Sequence, residues 1–194
     1  MKTKNTSFKS IFTFVALLFI TVNLTQAQEL TLVNKDSSLK IYGTSNLHDW
    51  EENAEKQSGT IKFSDIENGK IEALSIQIEA ESLKSGKGGM DKNTYKALKT
   101  DKHKNILFQL TKVETVEAKG NGVFNVKAVG DLTIAGSKKS IAMAFSTTIK
   151  DGLVTLMGEQ KIKMTDFKVD PPKALFGTIT TGDDLTIKFT TKFK

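Results

Sequence analysis

Apolar and polar residues alternate with a period of two along most of the chain after residue 27. In the last such stretch, for example, Leu185, Ile187 and Phe189 alternate with threonine and lysine. The five clearest stretches are 71–80, 106–111, 124–134, 141–149 and 185–193. Four weaker candidates are 29–34, 38–42, 58–63 and 153–164. This alternation is typical of strands that bury one face, so the pattern predicts about eight antiparallel strands.

Turn-forming residues separate these strands, and one short stretch has helical spacing instead. The turn signals are Asn68-Gly69, Gly120-Asn121-Gly122, Gly136-Ser137, Asp151-Gly152 and Gly182-Asp183. Residues 90–100 are predicted to form an α-helix, with Asp91 as its N-cap. Because long strands follow one another through short turns, a closed all-β barrel is favoured over a two-sheet sandwich. An interior of this size either is filled by side chains or holds one small ligand.

The first 27 residues have the layout of a secretory signal peptide. Lys2, Lys4 and Lys9 precede an apolar run at 11–20, and the segment ends in Thr25-Gln26-Ala27. A membrane anchor is the alternative, but it needs about 20 apolar residues to span a bilayer. We therefore expect cleavage after residue 27 and one exported domain at 28–194. Its location would be the periplasm or the external medium, in soluble form.

Composition excludes several classes of site. The 194 residues include no cysteine, and all 28 basic residues are lysine. Disulfides, thiolate metal sites and thiol nucleophiles are therefore excluded, as is the bidentate arginine contact to phosphate or guanine. The formal charge of +6 includes three lysines of the signal peptide, which leaves +3 for residues 28–194. A nucleic-acid partner is not expected at this charge.

Four stretches, in the same order along the chain, resemble the motifs of a known family. They are Gly43-Thr44-Ser45-Asn46-Leu47-His48-Asp49-Trp50; Met90-Asp91 with Ala97-Leu98-Lys99 and Ile106-Leu107-Phe108; the sequence GDLTIAG at 130–136 with Lys139-Ser140-Ile141; and KIKMTDF at 161–167 with Pro171-Pro172 and Phe176-Gly177-Thr178. Together they cover nearly all of residues 29–194 and are similar to the YceI-like, lipid-binding family. One departure is that lysine stands near the helix where the family often has arginine.

The resemblance implies an exported, lipocalin-like antiparallel β-barrel that encloses a polyisoprenoid or isoprenoid-quinone lipid. It implies no catalysis, no required cofactor and no metal. The inner faces of the strands would then supply the ligand-binding residues, Trp50, Phe63, Ile76, Ile78, Phe108, Leu110, Met143, Phe145, Met164, Phe167 and Phe176. The alternative from the residues alone is a ligand-free structural module whose barrel is packed with these same side chains. The sequence does not determine an oligomeric state.

Two polar clusters each have a functional and a structural interpretation. Lys87, Lys92, Lys96 and Lys99 lie in a lysine-rich stretch that could contact lipid head groups, a ligand diphosphate or a membrane surface, or be a solvated helix face. His48-Asp49 could serve a hydrolase or lyase, although neighbours on a strand point to opposite faces. The structural interpretation is a loop at a strand end. With two histidines and no cysteine, no metal ligands are assigned.

Overall fold

The computed structural model describes residues 28–194, so the predicted signal peptide lies outside the described residues. Twelve strands and one α-helix follow one another in chain order. They are β1 (Gln28–Thr31), β2 (Ser38–Ser45), β3 (Trp50–Ala54), β4 (Gln57–Asp65), β5 (Lys70–Glu79), β6 (Leu83–Lys84), α1 (Gly88–Leu98), β7 (Asn105–Gly120), β8 (Val123–Ile134), β9 (Ser137–Lys150), β10 (Leu153–Lys163), β11 (Lys173–Ala174) and β12 (Ile179–Phe193).

The strands form one curled antiparallel sheet that closes into a barrel. Its order is β1-β4-β5-β7-β8-β9-β10-β12-β2-β3-β6, and β11 pairs separately with β12. Closure occurs where Leu32, just after β1, bridges to Phe193 at the end of β12. The backbones of Thr31 and Lys194 exchange two hydrogen bonds of 2.9 Å beside that bridge. The all-β, lipocalin-like barrel predicted from the sequence is confirmed.

The strand count is higher than predicted because three long strands are interrupted. A 3-10 turn at Asn34–Asp36 separates β1 from β2, and another at Ala80–Ser82 separates β5 from β6. Between β3 and β4 only residues 55 and 56 leave the ladder. If each interrupted pair is counted as one strand and the two-residue β11 is left aside, the barrel has the eight strands that the alternation predicts.

One end of the barrel is filled with tightly packed apolar side chains. Phe63 and Phe193 are at most 1% exposed there, and Ile61, Val126 and Val154 are equally buried. Fourteen buried residues form this cluster: Leu32, just after β1, and thirteen from β1, β4, β5, β7, β8, β9, β10 and β12. Register shifts in the β7–β8 pair, the first after Leu110, increase the curl of these long strands. This filled end therefore closes the barrel interior at one of its two ends.

Helix α1 covers the opposite end of the barrel. Its Leu98 is buried and joins a second cluster with Leu83, Met164 and Phe167. Asp91 is not the N-cap predicted from the sequence, because the helix begins at Gly88 and Lys87 occupies the cap position without a side-chain bond. No helix within residues 28–194 combines the length and the hydropathy that crossing a bilayer requires.

One predicted turn is also wrong. Gly182-Asp183 lies inside β12, where the pairing with β2 shifts register between Thr181 and Leu185. The chain does not reverse at this point, since β12 runs unbroken from Ile179 to Phe193. The Asp183 carboxylate instead accepts hydrogen bonds from the Thr165 amide and hydroxyl. Glycine followed by aspartate is therefore used here for an irregularity within a long strand.

A candidate lipid-binding cavity

Between helix α1 and the filled end, the barrel encloses an apolar cavity of about 760 Å³. Strands β2, β5, β7, β8, β9, β10 and β12 supply most of its wall through alternate residues. Several of these side chains, including Ile41, Ile76 and Ile187, pack on one side against the buried apolar cluster and are only half-buried because their other side borders the cavity. A volume of this size is within the range of small-molecule sites in proteins.

Eight of the eleven side chains predicted to bind a ligand line this cavity. They come from β3, β5, β7, β9 and the end of β10 with the turn that follows it. The eight are Trp50, Ile76, Ile78, Phe108, Met143, Phe145, Met164 and Phe167. Their position in the wall agrees with the predicted lining, and their contact with a ligand stays a prediction.

The other three predicted residues occupy different positions. Phe63 and Leu110 do point inward, but they pack in the filled end of the barrel and do not reach the cavity. Phe176 is fully exposed, because residues 175 and 176 both have a positive φ and turn the side chain away from the wall. Met157 of β10, next to the cavity-lining Leu156, is 55% exposed on the outer face of the strand.

Sequence reasoning missed two parts of the wall. The first comprises three strands, whose lining residues are Leu39 and Ile41 of β2, Leu132 and Ile134 of β8, and Leu185, Ile187 and Phe189 of β12. The alternation of these strands was visible in the sequence and could have identified them. The second is the cover, formed by Met90, Asn93, Thr94, Ala97 and Leu98 of α1 together with residues 172–175. No local pattern predicts where a helix and a distant loop meet over a barrel.

Trp50 is fixed in the cavity wall by its close contact with β2. Its indole Nε1 donates a 3.0 Å hydrogen bond to the Thr44 carbonyl, and its ring lies flat against Gly43. A Cβ atom at Gly43 would come within 2.1 Å of the ring, so only glycine fits there. The GTSNLHDW stretch therefore places an aromatic side chain in the wall by pairing a glycine on one strand with a tryptophan on the next.

One buried carboxyl group interrupts the apolar wall. Glu52 of β3 is 2% exposed and lines the cavity next to Thr94 of α1. The Thr94 hydroxyl donates a hydrogen bond of 2.5 Å to Glu52 Oε1. Burial raises the pKa of Glu52, the hydrogen bond from Thr94 opposes that shift, and the negative charge of Asp91 adds to it. Burial thereby favours the protonated, uncharged form of Glu52 more than it is favoured in an exposed glutamate.

Asp91 has a different environment from Glu52. Its carboxylate accepts hydrogen bonds from the amide and the hydroxyl of Ser85, at 2.9 and 2.6 Å. Burial would raise the pKa of Asp91, but these hydrogen bonds and the charge of Lys84 outweigh burial and lower it. The ionised form of Asp91 is therefore favoured, and it ties the loop before α1 to the helix.

The predicted head-group lysines are all exposed on and before α1. Lys87 lines the cavity entrance, Lys92 and Lys96 lie on the outward face of the helix, and Lys99 is the exposed C-cap residue that follows it. The inward face carries the cavity-lining residues of the same helix, as the helical period requires. Lys87 is therefore positioned to meet a ligand at the entrance, and the other three face the surroundings of the barrel.

Exposed apolar side chains surround the same entrance. Leu47 and Leu175 are each about two-thirds exposed, and Phe176 is fully exposed. Leu175 and His48, the neighbour of Leu47, also line the cavity. Hydrogen bonds between Asn46 and residues 178 and 180 join the two loops that carry them. We refer to Leu47, Leu175 and Phe176 as the apolar rim.

The His48-Asp49 cluster is organised by backbone contacts. His48 Nδ1 lies 2.8 Å from the Asp49 carbonyl, and the Ser45 hydroxyl donates to the His48 carbonyl at 2.8 Å. The Ser45 oxygen also accepts from the amides of residues 47 and 48, so this hydroxyl closes a turn. Neither contact joins a nucleophile to an imidazole. Within residues 28–194, no three histidine or acidic side chains lie close enough to hold a metal.

Solved structures share this fold at low sequence identity. BcnA from Burkholderia cenocepacia is 18% identical with a TM-score of 0.66, over 83% of this chain and 98% of BcnA. A polyisoprenoid binding domain from Saccharophagus degradans, implicated in plant cell wall breakdown, is 11% identical with a TM-score of 0.68, over 87% and 99% of the two chains. The Campylobacter jejuni YCEI protein is 18% identical with a TM-score of 0.55, over 98% and 97%.

Sequence comparison identifies the family directly. A search of curated proteins finds no match. The family model described as the YceI-like domain, however, matches residues 30–193, which is nearly all of the described structure. This match, the barrel with its apolar cavity, and the GTSNLHDW and GDLTIAG stretches agree with one another. The chain belongs to the YceI-like family.

Proposed function

We propose that this protein is a non-catalytic binding protein that encloses the apolar chain of a lipid in its barrel. The observation that supports this most strongly is the 760 Å³ cavity, whose wall is predominantly apolar and whose end is covered by a helix. A barrel without a ligand function would be expected to fill this space, because protein interiors pack to the density of organic crystals. The filled end of the same barrel shows that this sequence can pack in that way.

An elongated, flexible apolar ligand fits the character of the wall. Each Å² of apolar ligand surface removed from water contributes roughly 25 cal/mol, so binding strength grows with chain length. Met90, Met143 and Met164 lie in the wall, and methionine adapts to chains of irregular shape. An isoprenoid or isoprenoid-quinone lipid is our preferred ligand. The structural neighbour from S. degradans, a polyisoprenoid binding domain, supports this choice.

We further propose that the protein is exported and acts outside the cytoplasm, as a soluble carrier or store. Residues 1–27 support export by their signal-peptide layout. The hydrolase or lyase alternative at His48 has no support from the contacts of that residue, whose ring faces a backbone carbonyl.

One experiment tests both the ligand and export. The full chain is produced in a Gram-negative host and recovered from the periplasmic fraction, and its mass is measured by native mass spectrometry. We expect a polypeptide that begins at Gln28, carrying an additional mass that organic extraction identifies as a lipid. Phe108→Asp places a charge in the cavity wall, so this variant should lose the bound lipid.

The matched control is Leu107→Asp. Leu107 is the preceding residue of β7 and is 41% exposed on the outer face, so its variant should keep the lipid. A wild-type protein that is repeatedly empty after mild purification, and that binds neither quinones nor polyprenols, would contradict the proposed function. Retention of lipid by a folded Phe108→Asp variant would show that the wall is assigned wrongly.

We also propose that the entrance of the cavity makes transient contact with anionic membranes. Two features support this contact: the apolar rim of Leu47, Leu175 and Phe176, and the three exposed lysines on and just after α1. Apolar side chains that enter the acyl boundary and lysines that meet anionic head groups are the usual components of interfacial binding. A lipid could then pass between bilayer and cavity without crossing water.

A further inference from the structure

Glu52 occupies a position in the barrel where an acidic side chain is rarely found. Trp50, Glu52 and Ala54 are the inward-facing residues of β3, and Glu52 is as buried as the apolar residues around it. Acidic residues are almost never fully buried without a compensating partner. A carboxyl group in this place therefore requires an explanation of its own.

The hydrogen bonds of Glu52 leave one oxygen free for a ligand. Thr94 donates to Oε1, and Oε2 has no hydrogen-bond partner among residues 28–194. Glu52 also belongs to the cavity wall, so its free oxygen borders the space that a ligand would fill. A protonated carboxyl whose first oxygen already accepts from Thr94 can donate its O–H into that space.

The surrounding charges select against an anionic ligand at this depth. Asp91 of α1 is 8% exposed and is close enough to raise the pKa of Glu52. No ion pair with a lysine compensates Glu52 within the described part of the chain. A phosphate placed against the uncharged Glu52 would lose its hydration without a compensating charge and would be repelled by Asp91, whereas an uncharged oxygen would gain a hydrogen bond.

We infer that Glu52 and Thr94 form a head-group site inside the cavity, which recognises an uncharged oxygen, a hydroxyl or a carbonyl, at the end of an apolar chain. The inference rests on the proposed lipid-binding function and names its ligand class more narrowly. The chain extends toward Leu74, Phe145 and Leu156 at the filled end, and the oxygen-bearing end lies under α1. It differs from the interpretation, left open by the sequence, in which the lysines of residues 87–99 contact a ligand diphosphate.

Three C20 isoprenoid probes of equal chain length test this inference: the alcohol, the hydrocarbon without the hydroxyl, and the diphosphate ester. Affinities are measured by displacement of a fluorescent apolar probe from the wild type and from two variants. The wild type should bind the alcohol about fivefold to tenfold more tightly than the hydrocarbon, as one hydrogen bond contributes. The diphosphate should bind more weakly than the alcohol.

The variants separate recognition from packing. Glu52→Leu fills the same space without a polar atom, so the alcohol should lose its advantage while the hydrocarbon binds as before. Glu52→Gln keeps a donor and an acceptor, so it should retain most of the alcohol preference. Circular dichroism and thermal melting verify that both variants are folded.

Distinct outcomes would overturn the inference or the proposed function. If Glu52→Leu weakens the alcohol and the hydrocarbon equally, Glu52 has only a structural role and the inference is wrong. Tighter binding of the diphosphate than of the alcohol would also overturn it. If the wild type binds none of the three probes, the proposed lipid-binding function itself fails, and the head-group site fails with it.

Discussion

At the scale of single residues, alternation tells which face a side chain occupies but not what it meets there. Phe63 and Phe108 both point into the barrel, yet the first is in the packed end and the second borders the cavity. The position of each residue along the barrel axis decides between the packed end and the cavity. That position depends on the pairing between strands that are distant in sequence. Glu52 was missed because an acidic residue is expected to face solvent, although Trp50 and Ala54 on either side predict the inward face.

The raised pKa of Glu52 predicts an unusual pH dependence of stability. Its folded state holds the proton more tightly than the unfolded chain, whose value is near 4.5. As pH rises from 4.5 through the raised folded pKa, unfolding releases a proton, so the contribution of Glu52 to stability falls. Each unit of pKa increase corresponds to about 1.4 kcal/mol. Urea unfolding of wild type and Glu52→Gln across pH 4 to 8 measures the difference.

We expect the stability of Glu52→Gln relative to wild type to increase as pH rises over that window, because glutamine carries no proton to release. Glu29→Gln on β1 is the control, since that carboxylate is exposed. If the stability of Glu52→Gln relative to wild type stays constant with pH, folding does not raise the pKa of the Glu52 carboxyl. Asp91 acts in the opposite direction, because its lowered pKa gives a stabilisation that is lost as pH falls.

At the scale of elements, strands were predicted well and their interruptions were not. The stretches 71–80, 124–134 and 185–193 correspond to β5, β8 and the end of β12. The 3-10 turns at Asn34–Asp36 and Ala80–Ser82 lack the glycine or proline that marks a turn in sequence. Each lies where the pairing partner changes: β1 pairs with β4 but β2 with β3 and β12, and β5 pairs with β4 and β7 but β6 with β3. This change of partner is a property of the closed sheet, which a local pattern does not contain.

Helix α1 was also predicted, and the separate roles that we propose for its two faces can be tested. Reversing the outward charges with Lys92→Glu, Lys96→Glu and Lys99→Glu should reduce binding to phosphatidylglycerol vesicles by more than about tenfold. The physical reason is that each lysine near an anionic surface contributes about 1 kcal/mol. Co-sedimentation measures the binding, which should also weaken as salt screens these charges.

The control is a triple variant with the same change of charge, Lys112→Glu, Lys127→Glu and Lys150→Glu. These exposed lysines lie on β7, β8 and β9, away from α1. An equal loss of binding in the two triple variants would assign the effect to net charge and would contradict the proposed contact through α1. Lipid retention should be unchanged in both, because none of the six lysines lines the cavity.

At the scale of the whole molecule, the barrel divides into a filled half and a hollow half, and we propose that the first supplies stability and the second binds the ligand. Strand β12 runs through both, with Phe193 fully buried at the closure and Phe189 four residues earlier in the cavity wall. The two side chains are of the same type and lie on the same face of the same strand. They therefore allow a direct comparison of the two halves.

Phe193→Ala should lower the free energy of unfolding by about 3–5 kcal/mol, since it leaves a cavity in the packed end and weakens closure against Leu32. Phe189→Ala should cost less, because its ring already borders open space, but it should weaken lipid binding. Urea denaturation and lipid displacement, carried out on both variants, measure the two effects. Equal losses of stability in the two variants would contradict the division into a filled and a hollow half. A larger loss of stability in Phe193→Ala together with a larger loss of lipid binding in Phe189→Ala would show that one strand serves stability at one end of the barrel and binding at the other.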